Sequence, residues 1–257
     1  MRLATWSHEG VVRSGVVTDV GLHALPDGRT VLDLVHAGLP AALEAGASAL
    51  STAPVPLSEV RLLPPIAPPT IRDFVAFEEH VEGVLRAVTA EAAVPPEWYQ
   101  APTFYFTNPY AVVGAFDDVA VPPGSERFDF ELEVACVVGR DGRSLTPEQA
   151  RGHVFGYTVL NDWSARDLQS REMRVQLGPV KGKDSATTLG PWLVTADEVE
   201  QHRDAHGFLD LAMSVTLNDT LVGHDLLGNM GWPFEELLAY ASRGTEIRAG
   251  DVIGSGT

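Results

Sequence analysis

Two glutamates, Glu131 and Glu133, are the residues whose type and spacing most strongly suggest chemistry. They lie in segment 128–135, where acidic and apolar residues alternate with the period of two that is typical of a β-strand. Asp129, Glu131 and Glu133 are therefore expected on one face of a strand, with successive carboxylates about 7 Å apart. Carboxylates so close repel one another unless water screens them or a cation binds between them. The segment is either a solvated outer strand or part of a metal site.

Carboxylates elsewhere in the sequence favour the metal site. Asp162 follows a largely apolar, strand-like segment at 154–161, and Asp73 follows a proline-rich stretch. Asp162 is placed to point into a cleft, at the point where the chain leaves the predicted sheet. Three or four carboxylate ligands, without a cluster of cysteine or histidine, suit a hard divalent cation rather than zinc. We expect Mg²⁺ first, with Mn²⁺ or Ca²⁺ as the alternatives.

Two basic residues could complete such a site. Lys183 lies in a segment, 178–184, that contains two glycines but lacks the spacing of a phosphate-binding loop. His80 lies seven residues after Asp73 and directly follows Glu79, and a histidine beside a carboxylate suits a general base. A solvated lysine and a histidine on a helix surface are the simpler interpretations of the same two residues.

The composition excludes several classes of function. The chain has 257 residues and a formal net charge of −17, which argues against binding to nucleic acid and equally against an anionic membrane surface. No apolar run approaches the roughly 20 residues that span a bilayer. With Cys136 as its one cysteine, the chain cannot form an intrachain disulfide. We therefore expect a cytoplasmic protein that acts on a small molecule.

The pattern of elements predicts a mixed α+β fold that is rich in β-strands. Residues 1–62 form an expected small, β-rich N-terminal domain. Segment 62–69 contains four prolines, which cannot continue a helix or donate to a strand ladder, so we place a linker there. Residues 70–257 are the expected catalytic domain, in which strands dominate and an amphipathic helix at 77–89 carries His80.

A series of motifs in the second domain resembles the fumarylacetoacetate hydrolase family. The resemblance runs in unbroken order from residue 70 to residue 257. In chain order the motifs are RDF at 72–74 with His80, FDFELE at 128–133, NDWSARDLQ at 161–169, GP at 178–179, GK at 182–183, TTLGPW at 187–192 and GDVIGSGT at 250–257.

The resemblance implies a largely antiparallel, mixed β-roll with a metal held inside it, in a protein that forms homodimers. It implies a role for each residue that matches a family position. The metal ligands would be Glu131, Glu133 and Asp162, with Asp73 as a fourth and Thr187 beside the metal. The catalytic residues would be His80 and Lys183, and the substrate-binding residues Tyr105, Gln169 and Thr257.

The implied reaction is divalent-metal-dependent hydrolysis of a C–C bond in a 1,3-diketo acid resembling fumarylacetoacetate or an acylpyruvate. His80 would activate water, and Lys183 would help the cation to stabilise an enolate. Family members also act on 2-oxo acids of aromatic catabolism as decarboxylases, isomerases or hydratases, and these activities stay open. A catalytically silent metal-binding protein is a further alternative.

The sequence departs from the family in two places. Val75 and Met173 stand where the animal enzymes have tyrosines, which argues against fumarylacetoacetate itself as the substrate. Family members also continue beyond the motif that ends at Thr257, into a strand with a glutamate proposed to orient the catalytic histidine. We therefore expect the last part of the catalytic domain to be missing from this sequence. Otherwise Glu79 or Glu82 would have to orient His80.

Overall fold

The computed structural model describes residues 1–88 and 93–257 of the chain. In the N-terminal part the elements are β1 (Arg2–His8), β2 (Val11–Thr18), β3 (Gly21–Ala24), α1 (Val31–Ala37), α2 (Leu39–Ala49) and β4 (Arg61–Leu63). From residue 70 to Asp162 they are β5 (Ile71–Phe74), α3 (Glu78–Val88), β6 (Phe104–Thr107), β7 (Val112–Gly114), β8 (Phe128–Asp129), β9 (Leu132–Val138), β10 (Gly142–Arg143), α4 (Pro147–Arg151) and β11 (Val154–Asp162).

The remaining elements continue the alternation of short strands and helices. They are β12 (Ser164–Ala165), α5 (Arg166–Met173), β13 (Thr187–Leu189), β14 (Leu193–Thr195), α6 (Ala196–Val199), β15 (Ala212–Leu217), β16 (Thr220–Leu226), α7 (Phe234–Ser242), β17 (Glu246–Ile247) and β18 (Val252–Gly254). The expected β-rich, mixed α+β class is confirmed. The predicted helix at 77–89 is α3, and Thr89 lies outside the described residues. None of the described helices is long and apolar enough to cross a membrane.

One large sheet organises the fold. Within the described residues it has 12 strands, and its main path runs in the order β3-β2-β1-β14-β11-β9-β18-β5-β6. Most neighbours are antiparallel, whereas β18 pairs with β5 in parallel and β13 pairs with β7 in parallel. The sheet is therefore mixed and largely antiparallel, as the resemblance implied. Its five neighbouring strands β11, β9, β18, β5 and β6 come from distant parts of the sequence.

The central strands are buried because apolar side chains cover both of their faces. In β9 the run from Ala135 to Val138 is fully buried, and a strand buried on both sides reads as a continuous apolar run. On one face α1 and α2 pack against the sheet around Phe155. On the other face α7 packs around Ile253 and Tyr157. Two apolar layers thus hold β9, β11 and β18 in place.

The N-terminal part shares the large sheet with the rest of the chain. Strand β1 pairs with β14, with Arg2 opposite Val194 and Leu3 opposite Leu193. Leu3 and Phe155 lie in the same apolar cluster and are almost fully buried. The division into domains at 1–62 and 70–257 stays a prediction, and the structure shows that strands from both segments are hydrogen-bonded neighbours.

The acidic segment at 128–135 does not form one continuous strand as predicted. Strand β8 ends at Asp129 and pairs with β12, whereas β9 begins at Leu132 and pairs with β11. The chain changes its pairing partner between them, at Phe130 and Glu131. For this reason the three acids do not share one strand face: Asp129 is half-exposed, whereas Glu131 and Glu133 are buried. The solvated-strand interpretation is wrong for these two glutamates.

Candidate active site

Three carboxylates from three different strands meet inside the sheet. Asp73 lies on β5, Glu133 on β9 and Asp162 at the end of β11, and each is no more than 2% exposed. One oxygen from each carboxylate lies within 4.8 Å of the others. Sequence analysis predicted all three as metal ligands, and the fold brings them together although 89 residues separate the first from the last.

The cluster has unused oxygens that fit a divalent cation. Asp73 Oδ1, Glu133 Oε1 and Asp162 Oδ1 are buried, and no hydrogen-bond donor among the described residues reaches them. Buried polar atoms without a partner are rare in folded proteins because their desolvation is not compensated. Carboxylate oxygens are the ligands that hard divalent cations prefer. The donor set of this chain therefore fits such a cation.

Burial disfavours the charged forms of the three acids. Burial, followed by the neighbouring charges of Asp73 and Asp162, raises the pKa of Glu133 well above its ordinary value of 4.5. Burial also raises the pKa of Asp73, and it raises the pKa of Asp162 to about 7 even though Lys183 opposes the shift. A cation among these oxygens would supply positive charge and so lower the pKa values of the three acids.

Glu131 lies beside this cluster and has a different environment. Its Oε2 is 2.9 Å from Lys183 Nζ, and its Oε1 is 2.7 Å from the Arg166 guanidinium. Burial alone would raise the pKa of Glu131, but nearby positive charge, that of Lys183 first, outweighs burial and lowers it. Glu131 is therefore a carboxylate held in its charged form, and its role as a metal ligand stays a prediction.

Lys183 is a buried cation between two of the acids. Its ammonium group donates to Asp162 Oδ2 and lies beside Glu131, and the side chain is 4% exposed. Burial alone would lower the pKa of Lys183, but Glu131 and Asp162 raise it above its ordinary value. The lysine thus keeps a positive charge inside the site, and the interpretation of a solvated surface lysine is wrong.

His80 faces the same group of charges from α3. Its Nε2 lies 3.7 Å from Glu131 Oε1, and the side chain is 20% exposed. Burial lowers the pKa of His80, and Glu131 only partly opposes that shift. The imidazole is therefore neutral near pH 7 and has a lone pair to accept a proton. Its catalytic role stays a prediction, and its position beside the carboxylates agrees with that role.

The other predicted residues also surround the cluster. The Tyr105 hydroxyl lies 2.5 Å from Asp162 Oδ2 and 3.1 Å from Asp73 Oδ2, so it contacts two of the acids. Thr187 is opposite Asp162 in the strand register, and its hydroxyl is buried without a hydrogen-bond partner among the described residues. Gln169 and Thr257 line the adjoining cavity.

The contribution of Gly254 was not predicted from the sequence. This glycine lies on β18 between β9 and β5, opposite Ala135 and Asp73. A Cβ atom there would overlap Asp73 Oδ1 and lie 2.9 Å from Glu133 Oε2. The absence of a side chain thus lets carboxylates from the two flanking strands approach each other. Gly254 was visible in the sequence as part of the motif 250–257, but its structural role depends on which strands flank it.

We expect Gly254→Ala to weaken the binding of Mn²⁺ by at least tenfold, because the added methyl group displaces Asp73 and Glu133. Isothermal titration calorimetry with Mn²⁺ measures this effect. Gly223→Ala is the matched control, since Gly223 also lies in a strand and a Cβ atom there meets nothing within 4 Å. Unchanged Mn²⁺ affinity in Gly254→Ala would show that the close approach of the two acids is not required.

Arg166 is the other residue that sequence analysis did not assign. Its guanidinium bonds to Asp129 Oδ2 at 2.8 Å and to Gln169 Oε1 at 3.2 Å, in addition to its contact with Glu131. A planar guanidinium can bind several oxygens at once. Arg166 therefore orients Gln169 and Glu131 together. Its bond to Asp129 explains why that carboxylate stays at the edge of the site.

A cavity of 540 Å³ opens beside the carboxylates. This volume is typical of small-molecule sites. His80, Tyr105, Glu131 and Lys183 form its polar end, and apolar side chains form much of the remaining wall. The arrangement can bind a small ligand with its oxygen-bearing end against the charged groups.

Known proteins resemble this chain in sequence. The family profile "Fumarylacetoacetate (FAA) hydrolase C-terminal" matches residues 70–257. An oxaloacetate tautomerase from Xenopus laevis is 33% identical over 253 residues, which cover 93% of this chain and 75% of that protein. The fumarylacetoacetase of Arabidopsis thaliana is 29% identical over 243 residues, which cover 78% of this chain. The match spans only 57% of the length of that fumarylacetoacetase.

Solved structures show the same fold. A fumarylacetoacetate hydrolase from Exiguobacterium antarcticum matches with a TM-score of 0.77 and 26% identity, covering 100% of this chain and 86% of that one. A maleylpyruvate hydrolase from a Sphingobium species, in complex with a manganese(II) ion and pyruvate, matches with a TM-score of 0.73 and 25% identity. That match covers 100% of this chain and 88% of the other.

The named relatives are enzymes, and they include both hydrolases and oxaloacetate tautomerases. The manganese in one of these structures and the acidic cluster of this chain both support a divalent cation. The profile match covers most of the chain, and the fold agrees over its whole length. The chain belongs to the fumarylacetoacetate hydrolase family.

Proposed function

We propose that this protein hydrolyses a C–C bond in a 1,3-diketo acid, such as an acylpyruvate, with the help of a divalent cation. The observation that carries the proposal is the cluster of three buried carboxylates at the charged end of a cavity, whose free oxygens no donor of the described residues reaches. A neutral histidine and a buried lysine lie at the same end. The Mn²⁺ and pyruvate named in the maleylpyruvate hydrolase structure support a related role here.

Asp73, Glu133 and Asp162 would hold the cation, with Glu131 and Thr187 as further proposed ligands. When bound, the cation supplies Lewis-acid polarisation of substrate oxygens and a fixed point for their orientation. Mg²⁺ is our first choice because the donors are oxygens, and Mn²⁺ or Ca²⁺ fits the same donor type.

His80 would take a proton from water while the water oxygen attacks the 4-keto carbon of the substrate. The bond between C3 and C4 then breaks, and its electron pair stays on C3 of the pyruvate fragment as an enolate. A proton returned to C3 gives pyruvate, and the acyl fragment leaves as a carboxylic acid. The charged ammonium group of Lys183 would stabilise negative charge that develops on substrate oxygens. Tyr105, Gln169 and Thr257 would position the substrate.

A second function is supported by the oxaloacetate tautomerase of Xenopus laevis, which aligns with 93% of this chain. Interconversion of keto and enol forms needs a base and stabilisation of an enolate, and it does not need attack by water. The residues at the charged end of the cavity suit both reactions. Decarboxylation of 2-oxo acids and metal binding without turnover are further alternatives.

A product assay separates these functions. With acetylpyruvate we expect equal amounts of pyruvate and acetate, loss of turnover in EDTA and its return with Mg²⁺ or Mn²⁺. Oxaloacetate is assayed in parallel for enol–keto exchange and for release of CO₂. Exchange on oxaloacetate without cleavage of any acylpyruvate would replace hydrolysis by tautomerisation. Metal binding without either reaction would favour a binding protein.

We also propose that the protein is a homodimer and that it resides in a reducing cytoplasm. Light scattering measures the oligomeric state.

A further inference from the structure

Apolar residues form much of the cavity wall beyond the charged groups. The apolar residues that line it include Val75, Val81, Trp98, Met173 and Leu177. A 2-oxo carboxylate head is much smaller than the cavity of 540 Å³. The tail of a bound substrate must therefore extend along this wall.

None of the described apolar residues of the wall offers a positive charge to a second carboxylate on the substrate. Among the described residues that line the cavity, the basic side chains are His80 and Lys183, and both lie at the charged end. Lys183 already contacts Glu131 and Asp162. The charged residue on the outer part of the cavity is Glu97, which would repel an anionic tail.

One polar group of the wall, the indole N–H of Trp98, is also occupied. The indole N–H of Trp98 donates to the backbone carbonyl of Val75 at 2.8 Å. The Trp98 ring packs against Trp232, with ring centroids 4.4 Å apart, so its orientation is fixed. Val75 and Trp98 therefore present aromatic and aliphatic surface to the cavity. A carboxylate placed against these two side chains would lose water without gaining a hydrogen bond from either, which is unfavourable.

We propose that the cavity selects oxo monoacids with an apolar tail over diacids with a carboxylate at the far end. This inference rests on the proposed function only in placing the 2-oxo carboxylate head at the charged end. Each methylene buried against the wall should tighten binding by about fourfold. The terminal carboxylate of a matched diacid should weaken binding by at least tenfold.

Two ligands of equal chain length test the proposal directly. 2-Oxohexanoate ends in a methyl group and 2-oxoadipate in a carboxylate, so only the far end differs. Calorimetric titration of the Mg²⁺-loaded protein should show at least tenfold tighter binding of 2-oxohexanoate. Equal affinities, tighter binding of 2-oxoadipate or failure of both ligands to bind at millimolar concentration would overturn the proposal.

A substitution in the wall should weaken the preference. Met173 lies at the end of α5 and is 50% exposed, so an arginine fits there without disrupting the core. Met173→Arg should reduce the preference for 2-oxohexanoate by about tenfold, by pairing with the terminal carboxylate of 2-oxoadipate. Met173→Gln has similar length and no charge, and should change the preference less than Met173→Arg does. The same shift in both variants would contradict the assigned role of charge.

Failure of this inference can be distinguished from failure of the proposed function. Binding of the two oxo acids is measured without turnover, whereas the proposed function is tested by cleavage of acetylpyruvate. Cleavage together with a preference for 2-oxoadipate would overturn the inference alone. A preference for 2-oxohexanoate without cleavage of any acylpyruvate would overturn the proposed hydrolysis and leave the assigned selectivity intact.

Discussion

Glu133→Gln should make the metal-free protein more stable and abolish its activity. Glu133 is fully buried among like charges, so its ionised form is unfavourable in the absence of a cation. Glutamine keeps the shape of the side chain and removes the charge. The same change removes a proposed ligand, so stabilisation by Mg²⁺ or Mn²⁺ should disappear with the activity. A ligand at 100 times its Kd stabilises a protein by about 2.7 kcal/mol, and we expect this increment to be lost.

The gain in stability of the metal-free variant should depend on pH. The folded-state pKa of Glu133 is raised above its ordinary value of 4.5. Protonated Glu133 therefore makes its full contribution to the stability of the metal-free wild type below pH 4.5. This contribution is lost as the pH rises through the folded-state pKa. Glutamine does not titrate, so the free energy of unfolding of metal-free Glu133→Gln should exceed that of the metal-free wild type. This difference should increase with pH.

Thermal unfolding in EDTA and in excess Mn²⁺, at several pH values, measures both effects. Glu44→Gln is the control, because Glu44 is an exposed glutamate on α2 and its replacement should leave stability, metal response and turnover unchanged. A lower melting temperature of metal-free Glu133→Gln, together with a normal Mn²⁺ response, would remove Glu133 from the proposed cation site.

His80→Ala should reduce kcat by about 10²- to 10⁴-fold, the usual contribution of a general base. Because His80 is not one of the three clustered carboxylates, we expect Mn²⁺ affinity to change by less than threefold. Steady-state kinetics on an acylpyruvate and calorimetric titration with Mn²⁺ give the two values. This pattern differs from that of Glu133→Gln, which should lose metal binding and turnover together.

A second histidine provides the control for this experiment. His224 is exposed on β16, and His224→Ala should retain wild-type kcat. Normal turnover by His80→Ala on every accepted substrate would show that another group takes the proton from water.

The sequence predicted the charged residues of the site better than their arrangement. Asp73, Glu133 and Asp162 were identifiable because their types and surrounding motifs are specific. The alternation at 128–135, however, does not reveal that the chain changes its pairing partner at Glu131. Alternation reports which side chains are polar, whereas strand pairing depends on distant segments.

Gly254 and Arg166 show the same limit in another way. Gly254 matters because β18 lies between β9 and β5, a neighbour relation formed by segments far apart in the chain. Arg166 matters because its guanidinium reaches Glu131 and Gln169 together. Neither fact is encoded in local periodicity. Such contacts follow from the order of strands in the sheet, which local patterns do not specify.

The most direct test of the cation site is a crystal of this protein grown with Mn²⁺ and measured at the manganese absorption edge. We predict one strong anomalous peak per chain, in contact with carboxylate oxygens of Asp73, Glu133 and Asp162. The peak should be absent from crystals of Glu133→Gln grown in the same way. A wild-type crystal with no peak among these three side chains, or with its manganese bound elsewhere, would contradict the central claim.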